Sequence, residues 1–161
     1  MSPIGRCVVT YRTRFGAGWL EMAGTSLWRA GLPGSPLPAE AGAASPEARH
    51  LSASLQRYWA GEGPLPRPEG LVAGLEVTPL RAAIYRSLLD IPQGATVTYR
   101  ALAESVGRRG AARAVGAAMA RNPVAPLIPC HRVVGSDGYL RGYAGGIEMK
   151  RHLLDMEAGR G

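Results

Sequence analysis

One of the chain's two cysteines stands directly before one of its three histidines, in the stretch Ile128-Pro129-Cys130-His131-Arg132-Val133-Val134-Gly135. A thiol, an imidazole and a carboxylate together permit nucleophilic catalysis, because histidine can take the thiol proton and the carboxylate can orient the ring. Cys130 and His131 are adjacent, so in extended chain their side chains diverge and a bridging water is the expected link. Pro129 and the β-branched Val133 and Val134 stiffen the backbone, which suits a thiol that must be held in one place. The turn Gly135-Ser136-Asp137-Gly138 follows.

The other chemically able residues are scattered. Cys7 lies in a β-branched stretch and reads as a small buried hydrophobe. His50, His131 and His152 show no ligand spacing and there is no CxxC, so no metal and no cofactor is expected. Two cysteines are too few for a disulfide framework. Met1 to Arg6 lacks a signal pattern and no apolar run approaches 18 residues, so a soluble, cytoplasmic chain with a free thiol is expected.

The 161 residues carry a formal charge of +7 and a sequence pI near 10.1, a balance that favours a polyanionic partner. Residues 1–74 hold 7 basic and 5 acidic groups, whereas residues 75–161 hold 12 and 7. The basic excess thus shares its half of the chain with Cys130, and all but one of those 12 groups are arginine, suited to forked phosphate contacts.

The elements around the thiol follow from pattern. Arg6–Thr13 reads as a strand, Gly16-Ala17-Gly18 as a turn, and Trp19–Met22 and Ser26–Arg29 as partner strands. After a Gly/Pro/Ala/Ser-rich loop, Ser45-Pro46-Glu47 opens a helix whose apolar face is Leu51, Leu55, Tyr58 and Trp59, ending at Gly61. His50 on it reads as a surface residue. Residues 63–70 read as a linker, dividing the chain into 1–74 and 75–161. Thr78-Pro79 opens a second helix, with Leu80, Ala83, Ile84 and Leu88 on one face, ending by Ile91-Pro92. A short helix over 98–106, the basic turn Gly107-Arg108-Arg109-Gly110 and a helix over 111–121 form a helix-turn-helix pattern. A last helix spans 147–157, with Ile147, Leu153, Leu154 and Met156 as its apolar residues. Glu157 sits at its C-terminal end, where the helix dipole disfavours a carboxylate and a specific partner would offset the penalty.

The 111–121 helix, Ala-Ala-Arg-Ala-Val-Gly-Ala-Ala-Met-Ala-Arg, has almost nothing that could hydrogen-bond a base edge. Its small residues, including Ala112 and Gly116, allow close approach either to a packed core or to a DNA minor groove into which an arginine is inserted. Core packing explains the alanines but not Arg108, Arg109, Arg113 and Arg121 gathered around one helix, so the DNA reading is preferred. On the residues alone, two classes stay open: a thiol hydrolase or transferase, and a DNA-binding module with an incidental cysteine.

Arg113-Ala114-Val115-Gly116, Asn122-Pro123, Pro129-Cys130-His131-Arg132-Val133, Gly142-Tyr143 through Gly145-Gly146, and Lys150 with Leu153-Leu154 through Glu157 together resemble the O6-alkylguanine-DNA alkyltransferase family. The likeness runs from Thr78 to Glu157 in order and spacing. It departs at Ala125-Pro126, where the family often has proline one residue earlier. The resemblance implies that Cys130 accepts an alkyl group from O6 of a flipped-out guanine in double-stranded DNA and keeps it as a thioether. It implies that His131 acts on the thiol through a water, that Glu157 orients His131, and that Tyr99 hydrogen-bonds the base ring nitrogen. Asn122 would brace the cysteine region and Arg113 would fill the vacated stack. Thr98, Ala112, Gly116, Arg108, Arg109 and Arg121 would meet DNA from its minor-groove side. Tyr99, Met119, Val133, Tyr143, Ala144 and Gly145 would line the base pocket. A monomer that can cluster along DNA is expected.

The expected fold is α/β of the α+β kind: a small N-terminal antiparallel sheet with a helix, then a mainly helical C-terminal domain containing the helix-turn-helix. The runner-up function is a protein that binds alkyl lesions without efficient repair, which would fit a buried Cys130 with a raised pKa. A cysteine hydrolase would instead turn over many times without needing Arg113.

Overall fold

A computed structural model describes residues 5–39 and 42–160; the reading of residues 1–4 lies outside the described residues. The chain forms two compact units, Met1–Leu75 with Pro123–Leu127, and Glu76–Asn122 with Ile128–Gly161. Among the described residues, no helix is long and apolar enough to cross a membrane.

In the first unit, β1 (Arg6–Thr13), β2 (Gly16–Ala23) and β3 (Ser26–Gly31) form an antiparallel sheet in that order. The expected turn at Gly16-Ala17-Gly18 is instead the start of β2, pairing with Thr13, Arg12 and Tyr11. The chain reverses one step earlier, at Arg14-Phe15, where Thr13 Oγ1 accepts from Phe15 N at 3.0 Å. Gly18 is needed for packing: a Cβ there would fall 2.2 Å from the Tyr11 ring. Tyr11 fills that space, 1% exposed.

The central strand β2 is buried from Gly18 to Met22. This includes Glu21, whose carboxylate is held by Arg29 Nε at 2.7 Å. Helix α1 (Pro46–Trp59) packs on β1 and is capped by the Ser45 side chain, which accepts from Ala48 N. Ala48, Leu55, Tyr58 and Trp59 are its buried apolar residues, Leu51 is half-buried, His50 is exposed, and Cys7 is buried in β1.

In the second unit, α2 (Pro79–Leu89) starts at the Thr78 cap and α3 (Tyr99–Ser105) at the Thr98 cap. Helix α4 (Ala112–Ala120) follows the turn through Gly107 and Gly110, both at positive φ. The three helices pack on one another, and the buried Tyr85 of α2 ties it to α4 by donating its hydroxyl to the Ala118 carbonyl at 2.7 Å. Tyr85 belongs to the apolar face of α2 with Ile84 and Leu88, while Leu80 and Ala83 are half-buried. Two short strands were not foreseen: β4 (Val97–Thr98) pairs in parallel with β5 (Val133–Val134). Helix α5 (Ile147–Glu157) buries Met149, Lys150 and Leu153, whereas Ile147 is 37% exposed. The helix therefore turns a lysine inward and leaves an expected apolar residue at the surface.

Candidate active site

The stretch around the thiol is not extended. Cys130–Arg132 forms a 3-10 turn, entered through Cys130 N donating to Ile128 O at 2.8 Å, and Val133 then continues as β5. Short-range backbone hydrogen bonds thus overrule the extended reading at Cys130–Arg132, while Val133 and Val134 do run as a strand. Just after this turn, pairing of β5 with β4 sets Val134 opposite Thr98, the residue that caps the helix beginning at Tyr99.

Cys130 is 6% exposed and His131 fully buried. Burial pushes the Cys130 thiol up from its ordinary value, while a hydrogen bond from Asn122 and the charge of Lys150 pull it down. Asn122 also donates Nδ2–H to the Ile128 carbonyl at 2.7 Å, two residues before the thiol. Lys150 Nζ donates to the Val133 and Arg141 carbonyls at 2.7 and 2.8 Å.

The partner that Glu157 requires is present twice over. His131 Nε2 and Glu157 Oε1 are 2.8 Å apart, and Arg132 clasps the same carboxylate with Nε on Oε2 at 2.9 Å and Nη2 on Oε1 at 2.8 Å. Burial lowers the His131 pKa and outweighs the opposing pull of Glu157, so the ring is held neutral. With Nε2–H given to Glu157, the other ring nitrogen is the acceptor. Tyr143 meets the His131 ring edge-on, with centroids 6.5 Å apart. The Tyr99 hydroxyl pKa is raised, first by burial and then by Cys130, which keeps the phenol a proton donor.

Cys130, His131, Glu157, Asn122 and Tyr99 therefore share one neighbourhood with Lys150 and Arg132. Val133 is fully buried, Met119, Tyr143 and Gly145 are half-buried, and Ala144 is exposed. Arg108, Arg109, Arg113 and Arg121 are all exposed, and Ala112 is half-buried. A Cβ on the half-buried Gly116 would meet nothing within 4 Å, and α4 buries only Val115 and Ala118. Core packing thus accounts for Ala118 but not for a glycine at position 116. Thr98 spends its side chain on the cap, accepting from Ala101 N at 3.0 Å.

Sequence reasoning gave no role to Arg132 or Lys150, and both bear on the site. Two signals pointed to them. Lys150 is the chain's only lysine beside 18 arginines, and Glu157 was a carboxylate in search of a cation.

A buried, donor-flanked thiol beside an arginine-edged helix defines a class: a cysteine-nucleophile protein with a cationic helical face. Comparison with known proteins gives the family. The family model described as 6-O-methylguanine DNA methyltransferase, DNA binding domain, matches residues 79–159. A methylated-DNA–protein-cysteine methyltransferase of Methanosarcina barkeri is 42% identical over 109 residues, 68% of this chain and 67% of that protein. Its Mycobacterium tuberculosis counterpart is 48% identical over 86 residues, 53% of this chain and 52% of that protein. The crystal structure of Mycobacterium tuberculosis OGT in complex with DNA is 36% identical with a TM-score of 0.82, covering 95% of this chain and 93% of that one. The chain belongs to the 6-O-methylguanine DNA methyltransferase family.

Proposed function

We propose that this chain repairs DNA by direct reversal, transferring an alkyl group from O6 of guanine irreversibly to the Cys130 sulfur. The observation that best supports this reading is the buried Cys130 thiol next to His131, whose ring lies 2.8 Å from Glu157, inside the stretch that matches the family; burial raises the thiol pKa, and the Asn122 hydrogen bond and the Lys150 charge oppose that rise. Both favour a thiolate, the soft nucleophile that displacement at an alkyl carbon requires. Burial of Cys130 alone would suit a protein that recognises a lesion without repairing it. A neighbouring cation and a hydrogen-bond donor that oppose the rise in thiol pKa favour repair over recognition alone.

In the proposed reaction the thiol proton passes through a bridging water to neutral His131, which Glu157 holds in orientation. The thiolate attacks the alkyl carbon, a C–S bond forms, and the carbon–O6 bond breaks. The electron pair leaves with the guanine, and Tyr99 supplies a hydrogen bond or proton to the base ring nitrogen as charge develops there. The product thioether has no hydrolysable bond, so each molecule acts once.

Reaching the lesion requires the nucleotide to leave the stack, at a cost of roughly a few kcal/mol. Arg113 on the exposed face of α4 fills the gap, while Arg108, Arg109 and Arg121 neutralise phosphates. Ala112 and Gly116 let the helix backbone approach the minor groove. Met119, Val133, Tyr143, Ala144 and Gly145, with Tyr99, receive the base. Double-stranded DNA bearing the lesion is the partner, met by a monomer.

The test is the intact mass after incubation with duplex DNA containing O6-methylguanine. One methyl group per chain, on the peptide containing Cys130 and absent from Cys130→Ser, is the expected result. DNA bound without an adduct, or repeated turnover, would overturn the reading.

A further inference from the structure

The Glu157 carboxylate is shared by two residues that are adjacent in sequence. His131 takes one oxygen, Arg132 takes both, and the third guanidinium nitrogen, Nη1, donates to the Ile91 carbonyl at 2.7 Å. The side chains of His131, Arg132 and Glu157 are 0%, 6% and 1% exposed, so solvent screens none of these contacts. Arg132 is thus an arginine the DNA-facing surface does not use, its guanidinium fixed in the core by three hydrogen bonds.

We propose that Arg132 is a positioning residue for the transfer: its fork pins Glu157 by both oxygens, so the carboxylate orients His131 without drawing a proton onto the ring. The proposal rests on the reading of Cys130 as the alkyl acceptor.

The physical reason lies in what a buried carboxylate does when alone. An isolated buried anion beside an imidazole is stabilised by protonating it, and a protonated ring has no lone pair with which to take the thiol proton. A bidentate guanidinium compensates the carboxylate's charge at fixed geometry, which lysine cannot reproduce. The charged and titratable groups facing His131 are Glu157 and Lys150 from α5, Cys130 and Arg132 from its own turn, and Tyr143 from the segment between β5 and α5. Of these only Glu157 favours the imidazolium; Arg132 and Lys150 oppose it.

The Ile91 contact gives the clamp a second arm. Ile91 begins the turn that leads through Gly94 into β4 and Tyr99. Gly94, at φ 90°, lies against the end of α5, where a Cβ would stand 3.1 Å from the Glu157 carbonyl. One guanidinium therefore ties the approach to Tyr99 to the carboxylate that orients His131.

The test uses the full chain, with the His131 ring titrated by NMR and single-turnover methyl transfer followed against pH. In Arg132→Met the His131 titration should move up, and transfer at neutral pH should fall by on the order of 10²-fold, recovering as pH rises. Adding Glu157→Gln to that variant should bring the titration back down, because a neutral amide does not hold an imidazolium. Arg132→Lys keeps the charge but loses the fork, and should titrate low yet transfer slowly. A His131 titration unchanged in Arg132→Met, or wild-type transfer in Arg132→Lys, overturns the proposal. If Arg132→Met does not fold, the Arg132→Lys rate decides. Absence of transfer in the wild type would instead count against Cys130 as the acceptor, and the titrations would still judge Arg132.

Discussion

Lys150 is 1% exposed and its ammonium is hydrogen-bonded by two carbonyl oxygens, with burial lowering its pKa and the Cys130 charge raising it. Carbonyl dipoles solvate a cation but do not neutralise it, and a buried charge is costly unless compensated. The anion that suits this position is the Cys130 thiolate. Replacing Lys150 with methionine keeps the volume and removes the charge, so the fold should survive. The sign of the pH effect follows directly. Burial already raises the thiol pKa and Lys150 opposes it, so thiolate, and with it alkylation by iodoacetamide, should increase with pH beyond the ordinary thiol range. In Lys150→Met that increase should be displaced to still higher pH. Mass spectrometry of the Cys130 peptide in a Cys7→Ser background reads the profile, and superimposable curves would refute the coupling.

Helix α4 is locally weak, since Ala111 gives it no side-chain cap and Gly116 sits at its centre. Glycine in a helix interior costs about 0.5–1 kcal/mol relative to alanine. Nothing lies within 4 Å of a Cβ at Gly116, so no packing inside the described structure repays that cost. Gly116→Ala should therefore raise the urea midpoint by an amount equivalent to about 0.5–1 kcal/mol. The same methyl group should weaken duplex binding if this face approaches DNA. A stabilised variant with unchanged affinity would move DNA to another face.

The elements differ in how far their sequence betrayed them. Ser45-Pro46, Thr78-Pro79 and Thr98 carry start signals within a few residues, and the helices begin there. The pairing of β4 with β5 was not legible, because two residues hold no alternation and their partners lie 36 positions apart. Gly16 and Gly18 misled in the other direction, since a glycine demanded by the Tyr11 ring looks like one demanded by a turn. At the site, Cys130 and His131 were marked by type and neighbours. Arg132 was not, because an arginine in a basic chain reads as surface until a buried carboxylate is seen to claim it.

Over the whole molecule, the +7 charge overstates what is available to a partner. Arg132 and Lys150 are buried in the site, and Arg29 and Arg6 are engaged with Glu21 in the N-terminal sheet. Arg108, Arg109, Arg113 and Arg121, by contrast, are exposed around α4. If they meet phosphates, binding to undamaged duplex should weaken as salt rises, because each neutralised phosphate releases condensed counterions. Each such contact contributes about 0.9 to the slope of log K against log salt concentration. Replacing Arg108 and Arg109 together by alanine should flatten the slope by about 2, and Arg121→Ala by about 1 more. Arg113 has the different task of entering the stack, so Arg113→Ala should slow transfer more than it changes the slope. Affinities measured by fluorescence anisotropy across a salt series separate these roles. A slope indifferent to Arg108 and Arg109 would show that the cationic turn faces solvent rather than the DNA backbone.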